Sequence, residues 1–440
     1  MNLGLHIPTR RQNRIDSEQA RTLLGDSTDT PQGKPLWVIV RRLRIATPLI
    51  VLLSIFFIFI QMARPLPAPF ITMPPELHYT FEGNAPNLPW PEEGQAAVEV
   101  EGVGIMGVNG EQRPSPIASV AKTMTAYVVL QNHPLAGEAE GPMIEVDQQA
   151  EIESNADGES TAPIRKGQAF TEKQMLQLLL IPSANNAARL LARWDSLSER
   201  VFVKKMNAAA KALGMKDTIY TDPSGLKATT LSTAIDQLKL AKAVLQNEVF
   251  REIVDTTQVE ISDQIATVYN NNGRALLEPG VNGVKTGSST SAGGNLLWSA
   301  DTIIDGRRHR IVGAVFAIHT GASVNAKLQR AITDSITLIR AAQDAAESAS
   351  IIMKGDLVGY ANDGFGHRVP LMATRDLKAV GWPGLEVKSR LESDGVPRSA
   401  RAGTVVGMVR VGKGAGMVTA PIALQDAVSE PDLIAKLIHF

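Results

Sequence analysis

The longest run of apolar positions lies near the N-terminus, over residues 45–60, which read IATPLIVLLSIFFIFI. Thr47 and Ser54 interrupt the run without adding charge. Extended by residues 61–63, it reaches the length of about 17–25 residues that a helix needs to cross a bilayer. The pattern therefore predicts a transmembrane anchor over residues 45–63.

Positive charge flanks this run unevenly, with Arg41, Arg42 and Arg44 before it and Arg64 directly after it. The positive-inside rule then leaves residues 1–44 as a cytoplasmic tail and places the rest of the chain outside the cytoplasm. A buried core helix does not explain such one-sided arginines. A cleaved signal peptide is the alternative, but its n-region would be unusually long and residues 61–63 make a poor cleavage site.

The chain after the anchor divides into three segments that differ in composition and in the pattern of apolar residues. Residues 64–94 are rich in proline, which predicts an extended, semi-rigid linker. Residues 95–347 mix strand-like and helix-like periods, which predicts one globular α/β (α+β) domain. Residues 348–440 carry short valine-rich runs separated by glycine, which predicts a small all-β domain.

Turn and capping residues mark the expected elements of the middle segment. A strand pair over residues 97–108 is expected to turn near Asn109, and a helix to start at Ser119. Thr171 with Gln174 forms a capping-box pattern, and Ser196 with Glu199 suggests another. Further elements are expected as a helix over residues 232–246, strands over 281–284, 295–299 and 311–318, and a helix over 325–346.

Composition narrows the function classes. The net charge of -1 gives no support to nucleic-acid binding, which needs a basic excess. The absence of cysteine excludes disulfides, thiol catalysis and cysteine-bound metals. H-E-x-x-H and G-x-S-x-G are also absent, which disfavours zinc peptidases and histidine-based serine hydrolases. No metal or cofactor is expected.

The motif Ser119-Val120-Ala121-Lys122 offers a nucleophile and its base. Residues i and i+3 share one helix face, so the Lys122 amine can reach the Ser119 hydroxyl and remove its proton when neutral. Burial and a second cation, for which Lys285 is the candidate, lower the pKa of such a lysine. A second S-x-x-K match starts at Ser224, but its proline and glycine neighbours favour a turn.

The motif Ser183-Ala184-Asn185 follows an apolar run and Pro182 at a predicted loop-to-helix junction. Ser183 is a candidate to carry a proton between Lys122 and a leaving amine, and Asn185 to hold a substrate amide. Serine and asparagine are also good helix caps, so a purely structural cap is the alternative. The spacing recurs at Ser323, which shows that it is not specific by itself.

The tripeptide Lys285-Thr286-Gly287 follows a strand-like run and is rare by chance. Lys285 and Thr286 supply a charge and a hydroxyl for an anionic group. Gly287 allows a substrate to approach the strand edge closely. The backbone N–H of Ser288 is expected to complete an oxyanion site with that of Ser119.

These three motifs in this order resemble those of β-lactamases and penicillin-binding proteins. With phrases such as Asp222-Pro223-Ser224-Gly225-Leu226, the resemblance over residues 95–345 is to the low-molecular-mass penicillin-binding proteins, the serine D-alanyl-D-alanine carboxypeptidases. It implies the transpeptidase fold, an antiparallel sheet with a helical subdomain. It also implies a peptidoglycan pentapeptide stem as substrate, and β-lactams as inhibitors that acylate Ser119.

Two departures from this family leave alternatives open. The segment 319–325 after the last catalytic strand has no arginine for the terminal carboxylate, which keeps endopeptidase activity open. The family often has a bulkier residue where Ser288 stands. A class A β-lactamase would need Ser-Asp-Asn and a deacylating glutamate motif, and an inactive cell-wall-binding protein would not need the intact catalytic set.

Overall fold

The computed structural model describes residues 36–73, 78–263, 265–412 and 416–430, together with 432 and 434. These residues divide into two compact units, one that contains the N-terminal helix and one over residues 67–430. The predicted cytoplasmic tail lies outside the described residues up to position 35.

The first unit contains helix α1, Leu36–Ala63. Its stretch Arg44–Ala63 is long and apolar enough to cross a membrane, and only 6% of its most apolar 18 residues are buried. The helix begins nine residues before the predicted anchor, so Arg41, Arg42 and Arg44 belong to the same helix. An apolar helix left this exposed does not serve as a core helix.

The elements of the second unit follow in chain order. Up to residue 212 they are β1 Phe70–Thr72, β2 His78–Thr80, β3 Gln95–Val100, β4 Gly104–Asn109, β5 Ser115–Pro116, a 3₁₀ turn Ala118–Ala121, α2 Lys122–Asn132, β6 Met143–Glu145, α3 Gln148–Glu153, β7 Ala169–Thr171, α4 Glu172–Leu180, α5 Asn185–Ser196 and α6 Glu199–Ala212.

The elements that follow reach residue 345. They are β8 Leu231–Ser232, α7 Ala234–Val244, α8 Glu248–Asp255, β9 Gln258–Val259, β10 Val268–Tyr269, α9 Gly273–Leu276, β11 Val281–Ser289, β12 Gly293–Ile304, β13 Arg307–Ile318 and α10 Val324–Ala345.

The remaining strands are β14 Glu347–Ile352, β15 Leu357–Asn362, β16 Arg368–Ala373, β17 Leu377–Gly381, β18 Glu386–Glu392, β19 Val405–Val411 and β20 Val418–Leu424.

A five-stranded antiparallel sheet in the order β11-β12-β13-β3-β4 forms the centre of the unit. Successive side chains of a strand point to opposite faces. Accordingly Leu297 joins the core shared with the helices α2, α4, α5 and α7, while Leu296 and Trp298 join the core under α10. The predicted fold class, an antiparallel sheet with a helical subdomain, is confirmed.

The seven-stranded sheet of the C-terminal part has the order β1-β15-β16-β20-β19-β18-β2. Its two edge strands come from the stretch predicted as a linker, because Phe70 pairs with Asn362 and His78 with Lys388. The linker prediction is therefore wrong for these residues, which belong to the sheet. Trp382 joins the core under α10, so the β-rich part and the catalytic part share packing.

Two local predictions also need correction. The β3–β4 turn lies at residues 101–103, where the Val103 N–H bonds the Val100 carbonyl, and Asn109 instead ends β4. Ser196 does not cap α6; it ends α5, Leu197 adopts φ 60°, and the Ser198 hydroxyl accepts from the Val201 N–H. The chain needs this left-handed residue to separate the two helices.

Candidate active site

Ser119 lies in the 3₁₀ turn, one residue after Ala118, whose φ of 47° marks a sharp reversal of the chain. The predicted α-helix starts three residues later, at Lys122, so Ser119 precedes it. The i to i+3 spacing still brings the two side chains together, with Lys122 Nζ 2.8 Å from Ser119 Oγ. Ser119 is partly exposed, whereas Lys122 is fully buried.

Three oxygens of the described residues lie within hydrogen-bond distance of the Lys122 amine. Besides Ser119 Oγ, they are Asn185 Oδ1 at 2.6 Å and the backbone carbonyl of Ser224 at 3.0 Å. Both carbonyl-type oxygens accept hydrogen bonds and cannot donate them. The neutral amine has two N–H groups and one lone pair, so these two oxygens occupy its protons and its lone pair faces the Ser119 hydroxyl.

The electrostatic surroundings favour the neutral amine. Burial lowers the pKa of Lys122 well below its usual value, and the positive charges of Lys285 and Arg189 lower it further, against the opposing charges of Asp222 and Glu159. Burial also lowers the pKa of Lys285 to about 7. A lysine with a depressed pKa can act as a general base at ordinary pH.

The loop at residues 222–226 holds the Lys122 side chain in place. Asp222 accepts from the Ser224 hydroxyl at 2.7 Å and from the Thr230 hydroxyl at 2.6 Å. Thr125 on α2 donates to the Pro223 carbonyl at 2.6 Å. The second S-x-x-K match thus lies in a loop and not on a helix face, as predicted, and contributes a carbonyl oxygen while its hydroxyl is bound to Asp222.

The motif at residues 183–185 enters α5 from a strained position. Ser183 has φ 66°, is 2% exposed, and its Oγ has no hydrogen-bond partner among the described residues. Ala184 occupies the N-cap of α5 without a side-chain bond, so the helix-cap alternative is wrong here. The similar motif at Ser323 is such a cap, because its hydroxyl accepts from the Ala326 N–H at 3.1 Å.

Strand β11 carries the Lys-Thr-Gly motif past the turn that holds Ser119. A Cβ atom on Gly287 would lie 2.6 Å from the Ile117 carbonyl oxygen and 2.9 Å from the Val120 nitrogen, so glycine is needed for this approach. Ser288 follows on the same strand and is partly exposed. The structure therefore brings the first and third motifs together at one edge of the five-stranded sheet.

Sequence reasoning missed two side chains that support the motifs. Asn272 is 1% exposed, accepts from the Thr286 N–H at 2.8 Å and donates to the Val284 carbonyl at 3.0 Å. Glu159 accepts from the Asn185 side-chain amide at 2.9 Å. Neither carries a motif of its own, and both meet their partners across loops that pattern reasoning does not place.

No group of three or more His, Asp or Glu side chains that could hold a metal ion occurs within the described part of the chain. The carboxylates nearest to the site, Asp222 and Glu159, are engaged with hydroxyl, amide and guanidinium donors. What this geometry offers is a serine hydroxyl against an amine lone pair, beside a second buried cation.

A protein-family model described as peptidase S11, D-alanyl-D-alanine carboxypeptidase, matches residues 95–317, just over half of the chain. The chain belongs to this family. The matched region contains all three motifs and ends within β13.

Two curated relatives support this membership. The D-alanyl-D-alanine carboxypeptidase DacF of Bacillus subtilis is 31% identical over 246 residues, or 54% of this chain and 61% of the relative. A D-alanyl-D-alanine endopeptidase of Haemophilus influenzae is 32% identical over 188 residues, or 42% of this chain and 61% of the relative. The chain thus spans less than two thirds of each.

Among solved structures, penicillin-binding protein 5 from Haemophilus influenzae is similar with a TM-score of 0.56 at 22% identity. The superposition covers 79% of this chain and 100% of that one. At this identity the likeness shows the fold, and it covers more of the chain than the region that the family model matches.

Proposed function

We propose that this member of peptidase S11 is a serine-type D-alanyl-D-alanine carboxypeptidase of cell-wall peptidoglycan, and that Ser119 forms its acyl-enzyme. The observation that supports this best is the position of Lys122, 2.8 Å from Ser119, fully buried and with its other two contacts to oxygens that only accept. This arrangement matches what a lysine base requires.

In the proposed reaction, Ser119 Oγ attacks the carbonyl of the penultimate D-alanine of a stem peptide while Lys122 takes its proton. The C–N bond then breaks, and the proton passes through Ser183 to the departing amine of the terminal D-alanine. The Ser183 hydroxyl, which has no hydrogen-bond partner within the described part of the chain, supports this role. Water next attacks the ester carbonyl, and the bond between the acyl carbon and Ser119 Oγ breaks. One proton of the water returns to Ser119 Oγ, and its hydroxyl stays on the shortened peptide, which is released.

The substrate is proposed to lie between β11 and the α5 side of the site. Lys285 is fully buried, and the hydrogen bond that the described structure shows for it, to the Thr286 carbonyl, is long at 3.2 Å. Its remaining donors, with the Thr286 hydroxyl, suit the substrate carboxylate. Asn185 is assigned to the peptide amide. Gly287 lets the strand backbone come close to the substrate. The Ser288 N–H is then assigned to the oxyanion, opposite the N–H of Ser119.

The same geometry suits a β-lactam, whose strained amide and carboxylate resemble the acyl-D-alanyl-D-alanine end. Acylation of Ser119 is then expected to be fast and hydrolysis slow. For localisation, we propose that α1 anchors the chain in the cell membrane with the catalytic unit outside the cytoplasm. The length and apolar character of residues 44–63 and the arginines before them support this orientation.

Endopeptidase activity is a second candidate, supported by two observations. The relative from Haemophilus influenzae is named an endopeptidase. In addition, residues 319–325, which follow β13, contain no arginine to bind a terminal carboxylate. A site that depends on Lys285 alone for this charge is expected to accept substrates whose scissile bond is not at a free C-terminus.

Free D-alanine release tests the main proposal. The full-length chain in detergent is incubated with a pentapeptide stem and, separately, with a cross-linked stem dimer, and Ser119→Ala serves as the control. The proposal expects D-alanine from the pentapeptide with the wild type and none with the variant. Cleavage of the dimer alone would favour the endopeptidase, and no cleavage of either substrate would contradict a peptidase.

A further inference from the structure

The Asn185 side-chain amide has a defined orientation, because its two ends face opposite kinds of partner. Oδ1 lies 2.6 Å from Lys122 Nζ, and Nδ2 donates to Glu159 Oε2 at 2.9 Å. A carboxylate accepts hydrogen bonds and, when ionised, cannot donate them. Glu159 therefore fixes the nitrogen end of the amide on its own side and leaves the oxygen end to Lys122.

Glu159 is itself held in place. Arg189, one helical turn after Asn185 on α5, donates to the same Glu159 oxygen at 3.0 Å. A second nitrogen of Arg189 lies 3.0 Å from Glu153, so the guanidinium bridges two carboxylates. The side chains of Glu159 and Arg189 are 17% and 13% exposed. The carboxylate is therefore a fixed feature of the site, although it comes from the long connection between α3 and β7.

The orientation of the amide decides where the Lys122 lone pair points. With Asn185 Oδ1 and the Ser224 carbonyl accepting its two N–H groups, the neutral amine turns its lone pair to Ser119. If the amide turned over, its NH₂ group would donate into that lone pair. Lys122 would then be unable to take the proton of the Ser119 hydroxyl without first breaking that bond.

We propose that Glu159 is a positioning residue for acylation, which orients the Asn185 amide and thereby keeps the lone pair of Lys122 on Ser119. The inference rests on the proposed function, since it assigns Glu159 a part in activating the same nucleophile. It extends the catalytic arrangement by one residue, through a side chain that belongs to none of the three motifs.

The charge of Glu159 provides a readout that a purely structural role would not. The charged groups that act on Lys122 are Lys285 and Arg189, which lower its pKa, and Asp222 and Glu159, which raise it. Loss of the Glu159 charge therefore lowers the pKa of Lys122 further, and the acid limb of the acylation rate moves to lower pH. Loss of the amide orientation instead lowers the plateau, by which we mean the maximal rate of the pH profile.

The test compares Glu159→Ala with Glu159→Gln, whose amide oxygen can still accept from Asn185. The measurement is the second-order rate of acylation by a fluorescent penicillin, with the full-length chain in detergent from about pH 5 to about pH 10. Both variants are expected to move the acid limb to lower pH. The plateau of Glu159→Ala is expected to fall about 10- to 100-fold, while Glu159→Gln stays within about threefold of the wild type.

Asp157→Ala is the matched control, because it removes an exposed carboxylate from the same loop and is expected to leave both limb and plateau unchanged. An unchanged plateau in Glu159→Ala would overturn the proposal. So would a Glu159→Gln variant that is as slow as Glu159→Ala with its acid limb unmoved. If Glu159→Ala fails to fold, Glu159→Gln alone tests the proposal. An acid limb moved to lower pH with a plateau within about threefold of the wild type supports it, and an unmoved acid limb overturns it. Wild type that is not acylated at all would contradict the proposed function instead.

Discussion

The backbone carbonyl oxygen of Ser224 lies 3.0 Å from the amine nitrogen of Lys122, although 102 residues separate them along the chain. The contact requires the loop at residues 222–226 to pack directly on the turn that carries Ser119. Gly225 makes this packing possible, since its φ is 78° and a Cβ atom there would lie 1.8 Å from the Ala118 carbonyl oxygen. The base is thus positioned by a tight contact between backbones.

Gly225→Ala is therefore expected to displace the loop and abolish acylation of Ser119. Gly214→Ala is the matched control, because Gly214 also has a positive φ, of 70°, but has open space around its Cβ position. That control is expected to cost about 1 kcal/mol of stability and to keep full acylation. Penicillin labelling and the melting temperature of both variants check this, and normal labelling of Gly225→Ala would contradict it.

Asn272→Ala is expected to weaken both the stability and the acylation rate. The substitution leaves the Thr286 N–H and the Val284 carbonyl without the partner that pairs them in a buried position. Each such group costs about 1–3 kcal/mol. Asn155→Ala is the control and should change neither quantity, because this asparagine is exposed and the hydrogen bond from its side-chain amide to the Glu151 carbonyl is long at 3.5 Å. Chemical unfolding and penicillin labelling measure the two effects.

The pH dependence of acylation is expected to be bell-shaped. The rate rises as Lys122, whose pKa burial lowers well below its usual value, loses its proton and becomes a base. It falls above about pH 7, because burial lowers the pKa of Lys285 to about 7 and the neutral amine no longer attracts the substrate carboxylate. The two amines are electrostatically coupled, so each limb belongs to the pair.

Lys285→Arg separates the two limbs, because a guanidinium stays charged over this range. The variant is expected to keep the acid limb and to lose the alkaline limb, as measured with a β-lactam that carries a carboxylate. An alkaline limb that is the same in the variant and the wild type would show that Lys285 does not provide the charge.

Glu172 predicts a pH-dependent stability outside the site. It is fully buried, neither of its carboxylate oxygens has a partner among the described residues, and burial raises its pKa to about 7. Because the pKa is raised in the folded state, the protonated carboxyl group makes the folded protein more stable at low pH. This contribution to the free energy of unfolding is lost as the pH rises through about 7.

Glu172→Gln removes the charge and keeps the shape of the side chain. The stability difference between the variant and the wild type is expected to grow from pH 5 to pH 8 in favour of the variant. At pH 8 it is expected to reach about 1–2 kcal/mol. Urea unfolding at both pH values tests this. The prediction fails if the difference between variant and wild type is the same at the two values.

The fold class and the clustering of the motifs were predictable because their signals are local. The capping box of α4 forms as expected, with the Thr171 hydroxyl accepting from the Gln174 N–H at 3.1 Å and Gln174 accepting from the Thr171 N–H at 2.9 Å. Ser119 and Lys122 meet because three residues make about one turn of either a 3₁₀ or an α-helix. The shift of the helix start to Lys122 leaves this contact intact.

The features that sequence reasoning missed depend on distant partners or on a single backbone angle. Strand β1 pairs with residues about 290 positions later, so its own proline-rich neighbourhood reads as linker. Glu159 and Asn272 contact the site across loops whose path no periodic pattern predicts. The cap of α6 was misplaced by two residues because Ser196 and Ser198 both suit an N-cap, and the left-handed Leu197 selects the second.

Peptide mapping by mass spectrometry after brief exposure to benzylpenicillin tests the central claim most directly. The full-length wild-type chain is expected to carry one acyl adduct, on Ser119, and Ser119→Ala to carry none. Lys122→Arg, whose guanidinium stays protonated and cannot act as a base, is expected to form the adduct at least about 100-fold more slowly. An adduct on Ser183 or Ser224, or an adduct retained in Ser119→Ala, would contradict the account.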